Sequence, residues 1–153
     1  MQKVFTLNKL SMDFYADYPS NCFPEIENKP TRPYVVMVIS IQGNRFALPF
    51  RTNIRHNYCY KFKNTNRETD SVTGIDFSKA VIVNDSKYVG DETQIDNKEY
   101  VELANKFYFV IKKFQKYLEG YIDFRMNGGD EFIEKKYRFT TLKYFDRELG
   151  IIK

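Results

Sequence analysis

The sequence is short of the residues that build metal centres. It has one histidine, two cysteines and no tryptophan. Cys22 and Cys59 do not form the paired spacing of a zinc ligand set, and no second histidine is present to complete one. Neither a metal nor a cofactor is therefore predicted. A single disulfide between the two cysteines stays open, although nothing in the pattern requires it.

The chain also lacks an apolar run of about 18 residues and an N-terminal apolar segment that would direct secretion. These absences predict a soluble, cytoplasmic protein. The length of 153 residues predicts a single domain, residues 1–153, large enough to bury a core. Because 42% of the residues are hydrophobic and 17% are aromatic, a disordered chain is excluded.

Acidic residues are missing from one long stretch, residues 28–67, which we call the basic block. Its eight cations are Lys29, Arg32, Arg45, Arg51, Arg55, Lys61, Lys63 and Arg67. The remainder of the chain holds 16 basic and all 20 acidic residues. The small net charge of +4 therefore hides a strongly uneven distribution of charge along the chain. Such a charge distribution favours a polyanion as the partner.

Aromatic residues are interleaved with these cations, at Phe46, Phe50, Tyr58, Tyr60 and Phe62. Single-stranded nucleic acid is bound in this way, with phosphates on cations and bases stacked on rings. We expect Phe46 and Phe50 in the core, whereas Tyr58 and Tyr60 fit core packing and base stacking equally well. The predicted RNA-binding residues are Lys29, Arg32, Tyr58, Tyr60, Lys61, Lys63, Arg67 and Lys79.

The stretch with the most side chains suited to catalysis is Leu48–His56, which directly follows an apolar run. Within six residues it holds two guanidiniums, a hydroxyl, a carboxamide and the only histidine. Guanidiniums offer paired donors to a phosphate, and imidazole exchanges a proton near neutral pH. The candidate catalytic residues are therefore Arg51, Thr52, Asn53, Arg55 and His56.

Apolar patterning predicts an α+β fold. Tyr34–Ile41 is apolar on both faces, which indicates a buried central strand, and Gln42–Asn44 turns the chain into a hairpin partner, Arg45–Phe50. Further strands are predicted at Lys3–Leu7, Gly74–Phe77, Ala80–Val83 and Tyr137–Phe139. The polar segments Asn64–Thr73 and Asp85–Gln94 are predicted to be loops.

A long helix begins at the capping-box pattern Asp96–Glu99 and ends at Asn127–Gly129. Its apolar face is predicted to contain Tyr100, Val101, Ala104, Phe107, Tyr108, Ile111, Phe114, Leu118, Tyr121 and Ile122. Short helices are expected after a cap at Asn8 and after a cap at Thr140 or Thr141. The predicted architecture is a compact, strongly bent antiparallel sheet with one long helix and short additional helices, compatible with an SH3-like barrel.

Three motifs carry a family resemblance. They are Arg32-Pro33-Tyr34 followed by a strand and Ile41-Gln42-Gly43, the segment Leu48–His56, and Gly74–Ile82 with its order Gly-Ile-Asp-Phe-Ser-Lys-Ala. Together they resemble the ToxN/AbiQ and CptN/TenpN endoribonucleases, the toxins of type III toxin–antitoxin and phage-abortive systems. The Arg-Thr-Asn-x-x-His form is closest to the CptN/TenpN branch. In the ToxN pattern a serine is common at Asn53, a lysine is common at Arg55, and Arg51 is an extra residue.

This resemblance implies a Kid/MazF/CcdB-like barrel and metal-independent cleavage of single-stranded RNA. It further implies an antitoxin that is a small, repeat-encoded pseudoknot RNA. The toxin would process that RNA and bind it in a closed protein–RNA hetero-oligomer.

The residue chemistry independently fits RNA cleavage. The basic block has no carboxylate that could hold magnesium, so the nucleophile would be the 2′-OH of the RNA, leaving 2′,3′-cyclic phosphate and 5′-OH ends. His56 would move a proton, Arg51 and Arg55 would stabilise the phosphorane, and Thr52, Asn53 and Arg32 would position the phosphate. The second proton-transfer group stays open between tyrosine, lysine and water.

Two other functions remain possible from the sequence. A non-catalytic RNA-binding module would use the same basic face. A barrel-fold toxin that poisons a protein target would have no need of a basic face with a histidine.

Overall fold

The computed structural model describes residues 4–26, 34–67 and 72–151, which contain a seven-stranded antiparallel sheet. Its strands are β1 (Thr6–Leu10), β2 (Val35–Ile41), β3 (Asn44–Thr52), β4 (Cys59–Lys61), β5 (Thr73–Asp76), β6 (Val81–Ile82) and β7 (Val89–Glu92). They pair in the order β4-β5-β3-β2-β1-β7, and β6 pairs with β3 off this path. Since β4 and β7 each pair on one side among the described residues, the sheet is open.

The hairpin of β2 and β3 forms the centre of this sheet, as predicted. Gln42 and Gly43 connect the strands with φ angles of 51° and 83°. Two consecutive positive φ values are typical of the type I′ turn, whose twist matches that of the flanking strands. Residues 36–39 of β2 are all buried, so this strand is covered on both faces as expected.

Three α-helices and three 3₁₀ helices complete the described fold. They are α1 (Met12–Asp17), α2 (Asn97–Asn127), α3 (Glu131–Lys136) and the 3₁₀ helices Phe77–Lys79, Ser86–Tyr88 and Thr141–Phe145. The prediction of an α+β fold with one long helix and short additional helices is confirmed. Within the described ranges, none of these helices combines the length and the apolarity that a membrane crossing needs.

The long helix α2 covers the sheet with a narrower apolar face than the sequence suggested. The Phe114 ring lies 5.3 Å from the ring of Phe46 on β3, and Tyr121 is 1% exposed. Val101 and Tyr108 are 50% and 78% exposed, which corrects their assignment to the face. At 3.6 residues per turn, Val101 and Tyr108 lie about 140° and about 120° around the helix axis from Phe114, outside the face that packs on the sheet.

Two predictions for the N-terminal region need correction. The first strand is β1 at Thr6–Leu10, and the cap of α1 is Ser11, whose hydroxyl accepts the N–H of Phe14. Asn8 lies within β1, and its side chain donates a hydrogen bond to the Gly90 carbonyl at 3.0 Å. A further strand, β7, occupies part of the predicted loop, because its backbone completes the edge of β1.

The predicted strand Tyr137–Phe139 is wrong. Tyr137 ends α3, and its hydroxyl donates a hydrogen bond to the Tyr117 carbonyl of α2 at 2.9 Å. Gly120 leaves the space for this hydroxyl, since a Cβ there would lie 2.3 Å from it. The predicted cap at Thr140 is confirmed, because its hydroxyl accepts the N–H of Leu142 at the start of a 3₁₀ helix.

Candidate active site

The candidate site lies where β3 ends beside β5 and the 3₁₀ helix Phe77–Lys79. Arg51, near the end of β3, pairs with Gly74 of β5. A Cβ on Gly74 would lie 2.2 Å from the carbonyl oxygen of Tyr60 in β4, so a glycine is needed for the three strands to pack here. The sheet therefore fixes the position of Arg51 before the loop that follows it begins.

A buried carboxylate, Asp76, forms the centre of this site, and we call it and its contacts Arg51, His56 and Ser78 the Asp76 cluster. Arg51 donates a hydrogen bond to Asp76 Oδ2 at 2.9 Å, and His56 Nε2 lies 3.3 Å from both carboxylate oxygens. Ser78 donates its hydroxyl to Asp76 Oδ1 at 2.6 Å. The Asp76 side chain is 0% exposed, while those of Arg51 and His56 are 26% and 34% exposed. Two predicted site residues thus meet on an acid that the sequence did not single out.

Asp76 is ionised at neutral pH. Burial alone raises the pKa of Asp76, but hydrogen bonds from His56 and Ser78 and the charge of Arg51 outweigh that effect and hold the pKa below its usual value. The carboxylate therefore offsets the charge of Arg51, and its contacts with Arg51 and His56 fix the positions of both side chains.

Both nitrogens of the His56 ring have partners. Nδ1 accepts the backbone N–H of Tyr58 at 3.0 Å, so the neutral ring carries its proton on Nε2, towards Asp76. The ring also stacks on Tyr58, with centroids 5.4 Å apart. Ser78 Oγ lies 3.4 Å from the same Nε2. A serine-hydrolase triad needs the acid and the serine on different ring nitrogens, so this arrangement does not fit one.

The loop after β3 presents three more predicted residues to solvent. Thr52, Asn53 and Arg55 are exposed, whereas Ile54 between them is 8% exposed and anchors the loop in the protein. Asn53 has a φ of 59°, a left-handed conformation that asparagine tolerates, and its N–H donates to the Val72 carbonyl at 2.7 Å. The loop is thus ordered by its backbone and leaves its polar side chains accessible.

Lys136 of α3 adds a cation that the sequence did not indicate. Its ammonium lies 5.7 Å from the centre of the Tyr58 ring, 5.9 Å from that of Tyr117 and 5.3 Å from that of Tyr137. Burial, together with the charge of Lys116, lowers the pKa of Lys136. Because Tyr58 stacks on His56, this lysine borders the Asp76 cluster, although 80 positions separate it from His56 along the chain.

The Tyr117 hydroxyl lies in the same region without a hydrogen-bond partner among the described residues. Tyr117 is 4% exposed. Burial raises the pKa of its phenol, and the nearby Thr140 hydroxyl offsets this effect only in part. The aromatic residues around Lys136 therefore include one buried hydroxyl whose polar neighbour, Thr140, does not form a hydrogen bond of good geometry with it.

The predicted stacking residues have different environments. Tyr60 is 6% exposed and donates its hydroxyl to Glu102, so it belongs to the packed interior and is corrected as a base-stacking residue. Tyr58 is half-buried between His56 and Lys136. Of the two tyrosines, Tyr58 alone keeps an accessible ring surface beside the candidate site.

The predicted phosphate-binding cations are also dispersed. Arg67 lies with its Nε 3.1 Å from Glu99 Oε2, and Lys79 donates to the Phe139 carbonyl at 3.0 Å. Lys61 is half-buried and Lys63 is exposed, both along β4 and the turn after it. Lys29 and Arg32 lie outside the described residues.

Three buried acids from outside the basic block approach it in space. Asp76 holds Arg51, Glu99 holds Arg67, and Glu102 accepts the backbone N–H of Lys63 at 2.9 Å. The separation of basic and acidic residues along the sequence is therefore partly cancelled in the fold, where these acids lie next to the basic block.

Within residues 4–26, 34–67 and 72–151, no cluster of three or more histidine, cysteine, aspartate or glutamate side chains is suited to a metal ion. Both cysteines are free thiols.

Comparisons of the chain with protein-family models, with curated proteins and with solved structures find no match. The resemblance to the ToxN/AbiQ and CptN/TenpN toxins therefore stays a prediction from the motifs.

Proposed function

We propose that this protein is a metal-independent endoribonuclease toxin of a type III toxin–antitoxin system. It would cleave single-stranded RNA by attack of the 2′-OH, and a small repeat-derived RNA that it processes would inhibit it in a closed protein–RNA complex in the cytoplasm. One observation carries the proposal: Arg51 and His56 meet on the buried carboxylate of Asp76, next to a loop with exposed Thr52 and Arg55.

In this proposal the arginines stabilise the charge that builds up on the scissile phosphate. Arg55 is exposed and available to a non-bridging oxygen, while Asp76 holds Arg51 in a fixed orientation. Thr52 and Asn53 add neutral hydrogen bonds to the phosphate. The SH3-like, Kid/MazF/CcdB-like barrel belongs to the same proposal, although the described strand pairings leave β4 and β7 as open edges.

Proton transfer by His56 requires a change in its contacts. The only lone pair of the neutral ring is on Nδ1, which the Tyr58 N–H occupies, so the ring must turn from that amide to accept the 2′-OH proton. Donation to the leaving oxygen requires the imidazolium, the ring protonated on both nitrogens, which returns to the neutral form when it gives up the Nε2 proton; Nε2–H must then exchange Asp76 for that oxygen. Lys136, with its lowered pKa, is the candidate for the second proton-transfer group.

The test is an RNA cleavage assay with the purified protein. We expect 2′,3′-cyclic phosphate ends, full activity in EDTA, and no cleavage of an RNA that carries a single 2′-deoxy substitution at the cut site. Cleavage that stops in EDTA and returns with magnesium would overturn the mechanism. Cleavage of the 2′-deoxy substrate would overturn the role of the 2′-OH.

A non-catalytic RNA-binding module is the second candidate, and the satisfied ring of His56 favours it. In that case His56 would only shape the loop. The protein would then bind the intact and the 2′-deoxy RNA equally and cleave neither.

A further inference from the structure

We propose that a groove between β4 and α2 binds the backbone and bases of a single-stranded nucleic acid. This inference rests on the proposed function for the identity of the strand as RNA, and it names the path along which that strand would approach the Asp76 cluster. The groove encloses about 490 Å³. One wall contains Asn57, Lys61 and Lys63, and the other contains four residues of α2, Glu102, Lys106, Phe109 and Lys113.

The α2 wall repeats the pattern that the basic block displays in sequence. Lys106, Phe109 and Lys113 stand three and then four positions apart, so they share one face of the helix. Phe109 is 58% exposed, and its ring packs edge-on against Tyr60, with centroids 6.2 Å apart. The contact with a buried tyrosine fixes the phenyl ring in place, while most of the ring stays accessible for stacking on a base.

Within the part of the chain that the structure describes, the four lysine side chains of the groove have no carboxylate partner. Among the described residues, no ion pair joins Lys61, Lys63, Lys106 or Lys113 to a carboxylate. Glu102 is the one acid in the lining, and its oxygens already accept hydrogen bonds from Tyr60 and from the backbone and side chain of Asn64. Four cations on two facing walls with an exposed ring between them suit phosphates with a base in the middle.

The position of the groove connects it to the candidate active site. Asn57, at one end of the lining, directly follows His56 in the chain, and Asn64 marks the other end of β4. A strand bound along β4 would therefore pass from the groove to the Arg51–His56 loop. In this placement the lysines of α2, which lies far from the basic block in sequence, would contact the phosphates of the strand bound along β4.

The chain offers a matched control for each variant. Phe109 has Tyr108 beside it, 78% exposed and outside the groove lining, and Lys113 has Lys112, which is exposed and also outside the lining. The comparison is Phe109→Ala with Tyr108→Ala, and Lys113→Ala with Lys112→Ala. Binding is measured by fluorescence anisotropy with a labelled twelve-residue oligo(dU) DNA, which has no 2′-OH to react, and with the same sequence as 2′-O-methyl RNA.

We expect Phe109→Ala to weaken binding about 5- to 100-fold, the loss typical of one stacked base. Lys113→Ala should reduce the slope of log affinity against log salt by roughly 0.7. The two control variants should bind within about twofold of the wild type. Equal affinities for Phe109→Ala and Tyr108→Ala, or an unchanged salt slope in Lys113→Ala, would overturn the groove proposal. A preference for the 2′-O-methyl strand would identify RNA as the source of the ligand.

Separate measurements of binding and of cleavage distinguish the groove proposal from the nuclease proposal. If the groove variants bind normally while the wild type cleaves RNA, the groove proposal fails and the nuclease proposal stands. If the groove variants lose binding and the wild type cleaves no RNA, the groove proposal stands and the nuclease proposal fails.

Discussion

The Asp76 cluster and the groove between β4 and α2 are both basic regions, but only in the first does a buried carboxylate contact the cationic side chains. Arg51 and His56 contact a carboxylate that is fully inaccessible. Lys106 and Lys113 are exposed and have no ion pair among the described residues. A cation held by a buried acid keeps a fixed position, whereas an exposed lysine keeps its charge and its mobility. The first is suited to orient a reacting group and the second to attract a strand.

The comparison also shows that charge in sequence and charge in space are different quantities. The basic block contains no acid, yet three acids from β5 and α2 reach its arginines and backbone amides. The α2 helix has six basic and four acidic residues, so its sequence shows only a small excess of positive charge, yet it places two lysines opposite those of β4. The partner of each cation therefore depends on the order of the strands and on the face that a helix presents.

The largest expected effect is on stability. Asp76→Asn should lower the free energy of unfolding by about 3 kcal/mol, because it removes the buried negative charge that pairs with the guanidinium of Arg51. Asp91→Asn, at an exposed position of β7, is the control and should change stability by less than about 0.5 kcal/mol. Urea unfolding followed by circular dichroism measures both. Equal midpoints would mean that the cluster does not stabilise the fold.

The next effect is on catalysis. His56→Ala should lower RNA cleavage on the order of 100-fold or more, the contribution typical of a general acid or base, and Arg55→Ala should have an effect of similar size because it removes a cation that stabilises the charge on the phosphate. The affinity of His56→Ala for a 2′-deoxy strand should stay close to that of the wild type, since this variant changes neither the groove residues nor the arginines of the loop. The comparison of cleavage with affinity distinguishes the cluster from the groove, and full cleavage by both variants would disprove the assignment of this loop.

A smaller effect concerns acid. Hydrogen bonds and the nearby positive charge of Arg51 hold the folded pKa of Asp76 below its usual value of 3.8, despite the opposing effect of burial. The stabilisation is therefore complete above about pH 4, and it is lost as the pH falls through the lower folded pKa. Asp76→Asn should show less loss of stability than the wild type between pH 4 and pH 2. Parallel curves for the two proteins would contradict this account.

The smallest effect is expected from the β4 wall of the groove. Replacing Lys61 and Lys63 together by alanine should flatten the salt dependence of RNA affinity by roughly 0.7 to 0.9 log units per log unit of salt for each phosphate that these lysines neutralise. Thermal stability should stay unchanged, because neither ammonium has an ion pair among the described residues. A salt titration measures the slope. An unchanged slope would mean that, of the two walls of the groove, only α2 contacts phosphates.

The central part of the fold followed from the sequence because its signals are local. The β2–β3 hairpin depends on an apolar run and on a turn that Gly43 allows, and the long helix depends on the Asp96 cap. The strand β7 was not predictable in this way, because its polar sequence lacks alternation and pairs only where β1 offers a free edge. Tyr137 has the aromatic spacing of a strand, but its position depends on the space beside Gly120.

The candidate site was predictable only in part, for the same reason. The segment Arg51–His56 was identified because its residue types lie together in the chain. Asp76 and Lys136 were not identified, since each reaches the segment from a different element. The signal for Asp76 was present as an acid at the end of an apolar strand, where its side chain also caps a 3₁₀ helix.

The position of α2 after all seven strands in the chain has a consequence for synthesis on the ribosome. The β2–β3 hairpin leaves the ribosome early, with a strand that is apolar on both faces. The helix that covers it ends at Asn127, 75 residues after the end of β3 at Thr52, and translation at about 5–20 residues per second takes several seconds to reach that point. During that interval the nascent chain exposes an uncovered apolar hairpin, so chaperone demand should be greatest before α2 is translated.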